Sequence, residues 1–249
     1  MNGPSDPVEG ADPLDFDLLW VYLQQEPLLW LTATLAAYAV GHALHRAAGG
    51  SPLVNSVAVA IALLVAILVV SGTTYATYFD GAQFVHFLLG PATVLLAVPL
   101  YRNFNRVRRL LVPMLAALLA GSVTAVVSAV AVAGVLGGSR ETLLSLAPKS
   151  ATTPIAMGIA EEIGGLASLT ATLVIITGII GAMIVTPLLN ALRVTDWAAR
   201  GFAVGVASHG IGAARAFQVN QLAGTFAGIA MALNALLTAL LVPLLLRWV

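Results

Sequence analysis

The chain has 249 residues, of which 59% are hydrophobic and only 9% are charged, and its mean hydropathy is +0.97. A soluble domain carries about a quarter charged residues, so this composition excludes a soluble globular protein and indicates an integral membrane protein. The formal net charge is zero and cysteine is absent, which removes disulfides and thiolate metal sites from consideration.

The first segment, residues 1–16, is rich in Pro, Gly and Asp and is expected to form an acidic disordered tail without a cleavable signal peptide. Residues 17–249 are expected to form one all-α polytopic membrane domain, because long charge-free runs lack the alternation of barrel strands. Helices are predicted at about 27–46, 53–71, 82–102, 109–137, 166–191, 198–219 and 222–247. With the stretch between the fourth and fifth helices they give about seven to eight transmembrane segments.

Arginines at the helix ends predict the topology. The positive-inside rule places them on the inner side of a bacterial cytoplasmic membrane, with the N-terminus outside and the C-terminus inside. The residues concerned are Arg46, the group Arg102–Arg109, Arg193, Arg200 and Arg247. The crossings then balance only if the segment 140–165 enters and leaves on one side, as a re-entrant segment or a pair of half-helices.

The same assignment predicts two inverted repeats. The helices of a first repeat, about 53–137, would run opposite to those of a second, about 140–249. Each repeat has a middle helix that glycines interrupt, from Gly81 to Gly90 and from Gly201 to Gly210. Inverted repeats with broken helices are typical of secondary transporters, whose sites lie near the bilayer midplane.

One candidate half-helix follows the sequence LAPKSATTP at 146–154. Thr152 or Thr153 is a candidate N-cap, Pro154 suits the first helical position, and Gly164 and Gly165 end the helix. The helix N-terminus would offer free N–H groups and a positive dipole to an anion. The side chains beside it are those of Lys149, Ser150, Thr152 and Thr153. Alternatively, Lys149 lies in a solvent-exposed loop.

Two further breaks are predicted. In the sequence SHGIGAARAF at 208–217, Gly210 and Gly212 would interrupt a helix, with Ser208 and His209 before the second half. Arg215 would lie in its first turn, where the planar guanidinium suits a carboxylate; alternatively, Arg215 is an interfacial residue that extends toward water. The third break, Gly90-Pro91 with Thr93 after it, is either a binding element or a packing kink.

The remaining titratable groups provide candidates for ion coupling. Glu161 shares a helix face with Thr153 and would bind a proton or cation, with Glu162 and His209 as further candidates. The alternative is that the glutamates are solvated at the membrane surface. His42 and His45 are expected to be interfacial rather than metal ligands. No cofactor, metal site, nucleic-acid-binding patch or nucleophile–base pair is expected, so an enzyme is not predicted.

Three long motifs give the chain a family resemblance. The sequences YFDGAQFVHFLLGPATVLLAVPLYRN (78–103), LAPKSATTPIAMGIAEEIGG (146–165) and ARGFAVGVASHGIGAARA (199–216) resemble the LrgB/CidB family of bacterial membrane proteins. The resemblance extends from about residue 27 to the C-terminus. Its motif residues fall on Lys149, Ser150, Thr152, Thr153, Pro154, Glu161, Glu162, His209, Gly210, Gly212 and Arg215. The family often has Thr where this chain has Ala213, so a hydroxyl contact there is lost.

The resemblance implies two functions of different classes. One is secondary transport of small monocarboxylates such as glycolate, glycerate, lactate or pyruvate, with Arg215 and Lys149 holding the carboxylate and Glu161 or His209 taking a coupling proton. The other is holin-like or antiholin-like regulation of membrane permeability, murein hydrolase activity and lysis. The resemblance also implies a small membrane partner of the LrgA/CidA type. A homodimer is expected because related transporter folds often pair through scaffold helices.

Overall fold

The computed structural model describes residues 26–88, 91, 95 and 97–246, and this part of the chain contains eleven helices and no strand. The all-helical prediction is therefore confirmed for it. The helices are α1 Pro27–Ala47, α2 Ser56–Ser71, α3 Tyr75–Phe87, α4 Ala97–Arg102, α5 Phe104–Arg109, α6 Leu111–Val135, α7 Arg140–Leu146, α8 Thr153–Ile163, α9 Ala167–Ala191, α10 Trp197–Val219 and α11 Gln221–Leu245.

Four of these helices, α1, α6, α9 and α11, are long and apolar enough to cross a bilayer. Large apolar side chains such as Val112 and Leu240 are exposed on them, as is usual where a helix faces lipid. The span count of seven to eight and the two inverted repeats stay predictions. The helix predicted at 82–102 corresponds to α3 and α4, and the residues between these helices are mostly outside the described part.

The first three helices form a small unit through close backbone approach. A Cβ added to Gly41 of α1 would collide with the backbone carbonyl of Ser56, and one added to Gly81 of α3 would collide with that of Pro27. The Trp30 ring, which is fully buried, meets the edge of Tyr78 with centroids 5.9 Å apart. Small residues at these crossings let the helices pack tightly without a hydrophobic driving force.

One end of the bundle carries most of the arginines. Arg106 Nη2 donates to Asp196 Oδ2 over 3.2 Å, and Arg200 Nη1 donates to Asn190 Oδ1 over 2.8 Å and to the carbonyl of Val194. These bonds join the ends of α5 and α9 to the start of α10. We call this end the arginine face.

The helix α10 does not run straight across the bundle, as the prediction of a span at 198–219 requires, but folds back on itself. Ser208 and His209 have non-helical backbone angles, with φ −132° and +41°. A Cβ on Gly212 would lie 2.9 Å from Val204 Cγ2, although these residues would be about 12 Å apart in a straight helix. Gly201 and Phe217 both adjoin the start of α11, at Ala223 and Gly224. The two arms, 197–207 and 210–219, therefore form a hairpin.

This hairpin corrects the predicted direction of the last helix, α11. Because α10 returns to the arginine face, α11 starts there and runs alongside α6, first near Met114 and Phe226 and finally at Val126 and Val242. Leu245 thus lies at the end of the bundle opposite the arginine face. The expectation that the last helix ends at the same end of the bundle as the other arginines is wrong, because a spanning helix was counted where the chain turns back. The orientation of the termini in the membrane stays a prediction. Arg247 itself lies outside the described residues.

Candidate functional site

The first hairpin consists of α7, the turn 147–152 and α8, and it confirms the predicted pair of half-helices between 140 and 165. Ser145 fixes it to the start of α9: its Oγ accepts from the Leu166 N–H over 2.8 Å, and its carbonyl accepts from Thr170 Oγ1 over 2.9 Å. Gly165 approaches the Ser145 backbone so closely that a Cβ would lie 2.9 Å from its nitrogen. The last turn of α7 therefore meets the end of α8 and the start of α9.

The short helix α8 starts inside the protein. Thr152 is its N-cap, Pro154 lies in its first turn and Gly164 ends it with a φ of +87°, as the sequence predicts. The Thr152 side chain makes no capping bond, so the first N–H groups of α8 have no side-chain partner there. Lys149 is half-buried beside this end, and its Nζ lies 3.4 Å from Ser150 Oγ. The turn before α8 is thus electropositive.

The second hairpin is α10, and its bend is buried against α9. His209 is 4% exposed and Ser208 is 1% exposed. The Nε2 of His209 lies 2.9 Å from the carbonyl oxygen of Val174 and therefore carries the proton of that hydrogen bond. Gly178 and Gly181 make room for the bend, since a Cβ on Gly178 would lie 2.6 Å from His209 Cε1, and one on Gly181 would collide with Ser208 Oγ.

The two hairpins meet through Asn234 of α11, which is 1% exposed. Its Nδ2 donates to the carbonyl of Ser150 over 3.0 Å and to the carbonyl of Val206 over 3.2 Å. Its Oδ1 accepts from Ser122 Oγ of α6 over 2.6 Å. Val206 lies in the last turn of the first arm, directly before the non-helical residues Ser208 and His209. One amide therefore satisfies both bends and joins them to two spanning helices.

This amide centre was missed by the sequence analysis. Asn234 and Ser122 belong to none of the three motifs, and each lies in a long apolar run that also contains other hydroxyl side chains such as Thr124 and Thr238. The available signal is general: a polar side chain in a membrane helix faces the protein interior and bonds to another element. That signal identifies a buried residue without naming its partners.

The structure brings together only some of the predicted site residues. The turn with Lys149, Ser150 and Thr152 is joined to the bend with Ser208 and His209 through the Asn234 amide. Thr153 is half-buried in the first turn of α8, and Gly210 follows the bend. Gly212 packs inside the second hairpin against Val204 rather than facing this centre.

Other predicted residues lie elsewhere. Arg215 is six residues past His209, about 9 Å along the returning arm, and its guanidinium contacts the turn between α1 and α2. The structure thus does not bring it to Lys149. Glu161 and Glu162 are exposed at the opposite end of α8 from its N-terminus, as the solvated alternative proposes. Gly90 and Thr93 lie outside the described residues.

Comparison with known proteins gives several relatives over most of the chain. The uncharacterized protein YwbG of Bacillus subtilis is 34% identical over 75% of this chain and 83% of its own length. The holin-like protein CidB of Staphylococcus epidermidis is 30% identical over 90% of this chain and 96% of its own. The antiholin-like protein LrgB of Bacillus cereus is 30% identical over 88% and 95%.

No solved structure matches the chain significantly. The model of the LrgB-like family matches residues 34–248, nearly everything that follows the first third of α1. This match and the CidB and LrgB relatives confirm the resemblance seen in the three motifs. With its apolar spanning helices, the chain is a multi-pass membrane protein that belongs to the LrgB-like family.

Proposed function

We propose that this chain is a carrier for small monocarboxylates such as glycolate, glycerate, lactate or pyruvate in a bacterial cytoplasmic membrane. The observation that supports it is the meeting of two half-helix hairpins inside the bundle, with the N-terminus of α8 and the Lys149 ammonium at the junction. The N-termini of half-helices stabilise a bound anion, and in carriers they lie near the middle of the membrane, where the substrate is bound.

The substrate carboxylate would lie on the turn before α8. Lys149 supplies a full positive charge, and within the described part of the chain its hydrogen-bonding contact is the neutral hydroxyl of Ser150. The free N–H groups after Thr152 supply further donors. A charge held half-buried without a carboxylate partner is stabilised when an anion binds beside it.

His209 is the better placed candidate for a coupling proton. Its Nε2 already donates to the Val174 carbonyl, so Nδ1 is the nitrogen that takes a second proton. Glu161 and Glu162 lie at the other end of α8, about 12 Å from its N-terminus. Proton coupling in this proposal therefore uses the His209 ring rather than the glutamates.

The single lysine of the chain makes the test direct. Purified protein in proteoliposomes is expected to take up labelled pyruvate or glycolate saturably, and Lys149→Gln is expected to abolish this, whereas Lys149→Arg retains part of it. Arg140→Gln, an exposed charge at the start of the same hairpin, is the matched control and should leave uptake unchanged. Equal uptake by Lys149→Gln and the wild type would refute the site.

A second candidate function is supported by the names of the relatives, which are holin-like and antiholin-like. In that function, the chain would regulate membrane permeability and lysis, together with a small LrgA-type or CidA-type membrane protein. The same proteoliposomes distinguish it: leakage of an unrelated trapped dye, without saturable uptake and without dependence on Lys149, would favour the regulator. If neither uptake nor leakage occurs, the small partner is added and both measurements are repeated.

A further inference from the structure

The returning arm of the second hairpin contacts the turn between α1 and α2 through Arg215. Its Nη2 donates to the carbonyl of Gly50 over 3.2 Å, and its Nη1 lies 3.3 Å from His45 Nε2. His45 Nδ1 lies 2.7 Å from the Val54 carbonyl and so carries the ring proton. Nε2 is then a neutral acceptor, and His45 adds no negative charge to balance the guanidinium.

The cavity beside this contact is cationic. It has a volume of about 490 Å³ and is lined by His42, His45, Arg46, Gly50, Arg215, Gln218 and Val219, none of them acidic. The third hydrogen bond of Arg215 goes to the neutral side-chain oxygen of Gln218. Across the described residues, neither Arg46 nor Arg215 forms an ion pair, whereas Arg106 at the same face is paired with Asp196. Two guanidinium groups therefore share one cavity without a counterion from the described chain.

The junction also has spare hydrogen-bonding capacity. Among the described residues, two buried side-chain polar atoms make no hydrogen bond, Ser56 Oγ and Arg215 Nε. Both residues line a second, small cavity of about 20 Å³ at the same junction. Buried polar groups normally have partners, and their clustering at one place sets this junction apart from the rest of the described structure.

The depth of the cavity indicates the kind of anion. Arg215 lies four residues before the end of its arm at Val219, about 6 Å from the arginine face. Lipid headgroups lie at this depth, and basic pockets between membrane helices bind anionic headgroups. Arginine in turn matches the geometry of phosphate oxygens.

We propose that the cavity between the α1–α2 turn and the returning arm binds a phosphate oxyanion through Arg215 and Arg46, distinct from the hairpin junction near Lys149. The oxyanion is either the phosphodiester of an anionic phospholipid or free inorganic phosphate. Because the site lies against the second hairpin, its occupant holds that hairpin to the first three helices. This inference does not depend on which of the two functions above is correct.

Native mass spectrometry of the detergent-purified full chain tests the proposal, with phosphatidylglycerol and phosphatidylcholine as probes. Phosphatidylglycerol is expected to bind more tightly, and Arg215→Gln to weaken it about tenfold or more, the value of one charge-assisted hydrogen bond. Arg46→Gln, an exposed residue whose replacement leaves the packing intact, is expected to weaken it several-fold. Arg109→Gln, exposed at the same face, is the matched control and should have no effect.

Competition identifies the source of the anion. Inorganic phosphate that displaces the lipid supports a soluble anion at the same site, and failure to displace it supports the phospholipid. Displacement by glycolate but not by phosphate would overturn the proposal and make the cavity a carboxylate site. Equal binding of the two lipids, or equal losses in Arg46→Gln and Arg109→Gln, would overturn it as well.

Discussion

Replacing Asn234 by alanine tests the amide centre that joins the two hairpins. The substitution removes three hydrogen bonds, to Ser122, to the Ser150 carbonyl and to the Val206 carbonyl. Hydrogen bonds between membrane helices contribute about 0.6 kcal/mol each on average, which gives about 2 kcal/mol for the three. Both carbonyls also lose a buried partner, so the full loss in unfolding free energy is expected to reach about 2–4 kcal/mol.

Equilibrium unfolding in mixed micelles, with increasing mole fraction of a denaturing detergent, measures this loss. Ser122→Ala removes only one of the three bonds and is expected to cost about 0.6 kcal/mol. Asn105→Ala replaces an exposed asparagine and should change stability by about 0.5 kcal/mol or less. If Asn234→Ala destabilises the protein no more than Ser122→Ala does, the bonds to the two hairpins contribute nothing and the reasoning is refuted.

Two further predictions concern the second hairpin. Gly181→Ala places a Cβ against Ser208 Oγ, and this overpacking is expected to lower the unfolding free energy by about 1–3 kcal/mol. The control Gly158→Ala on α8 meets nothing within 4 Å and should leave stability unchanged or raise it by up to about 1 kcal/mol. Thermal unfolding compares the two variants, and equal midpoint temperatures would contradict the packing argument. Because the chain lacks cysteine, the single variants Thr195→Cys and Gln218→Cys should both react with an impermeant maleimide from the same side of oriented vesicles, and labelling from opposite sides would show that α10 crosses the membrane.

The first hairpin could be predicted because its signals are local. Thr152, Pro154 and Gly164 each act on the backbone of the residues beside them, so a cap, a first turn and an end can be read from about a dozen positions. The helix Thr153–Ile163 matches that prediction within a residue or two. Because the start and the end of this helix can be predicted from local signals, Lys149 and the two glutamates can also be assigned to its opposite ends.

The second hairpin could not be predicted because its cause is distant in sequence. The sequence predicts the break at Gly210 and Gly212, yet the residues with non-helical angles are Ser208 and His209. What stabilises the bend is space provided by Gly178 and Gly181 on α9 and an amide provided by Asn234 on α11. Glycines and one asparagine in apolar runs do not indicate which elements they contact. The predicted direction of the chain after the bend was therefore wrong.

The two bonds of the Asn234 amide have a mechanical consequence. With both hairpins in place, its two N–H groups donate to Ser150 and to Val206. Withdrawing either hairpin alone leaves one of these two bonds, whereas withdrawing both separates the two N–H groups from both carbonyls and leaves the amide with its bond to Ser122. In the carrier proposed above, the arrangement with both hairpins withdrawn therefore loses the most hydrogen bonds of the three, so the Asn234 side chain is expected to disfavour opening on both sides at once.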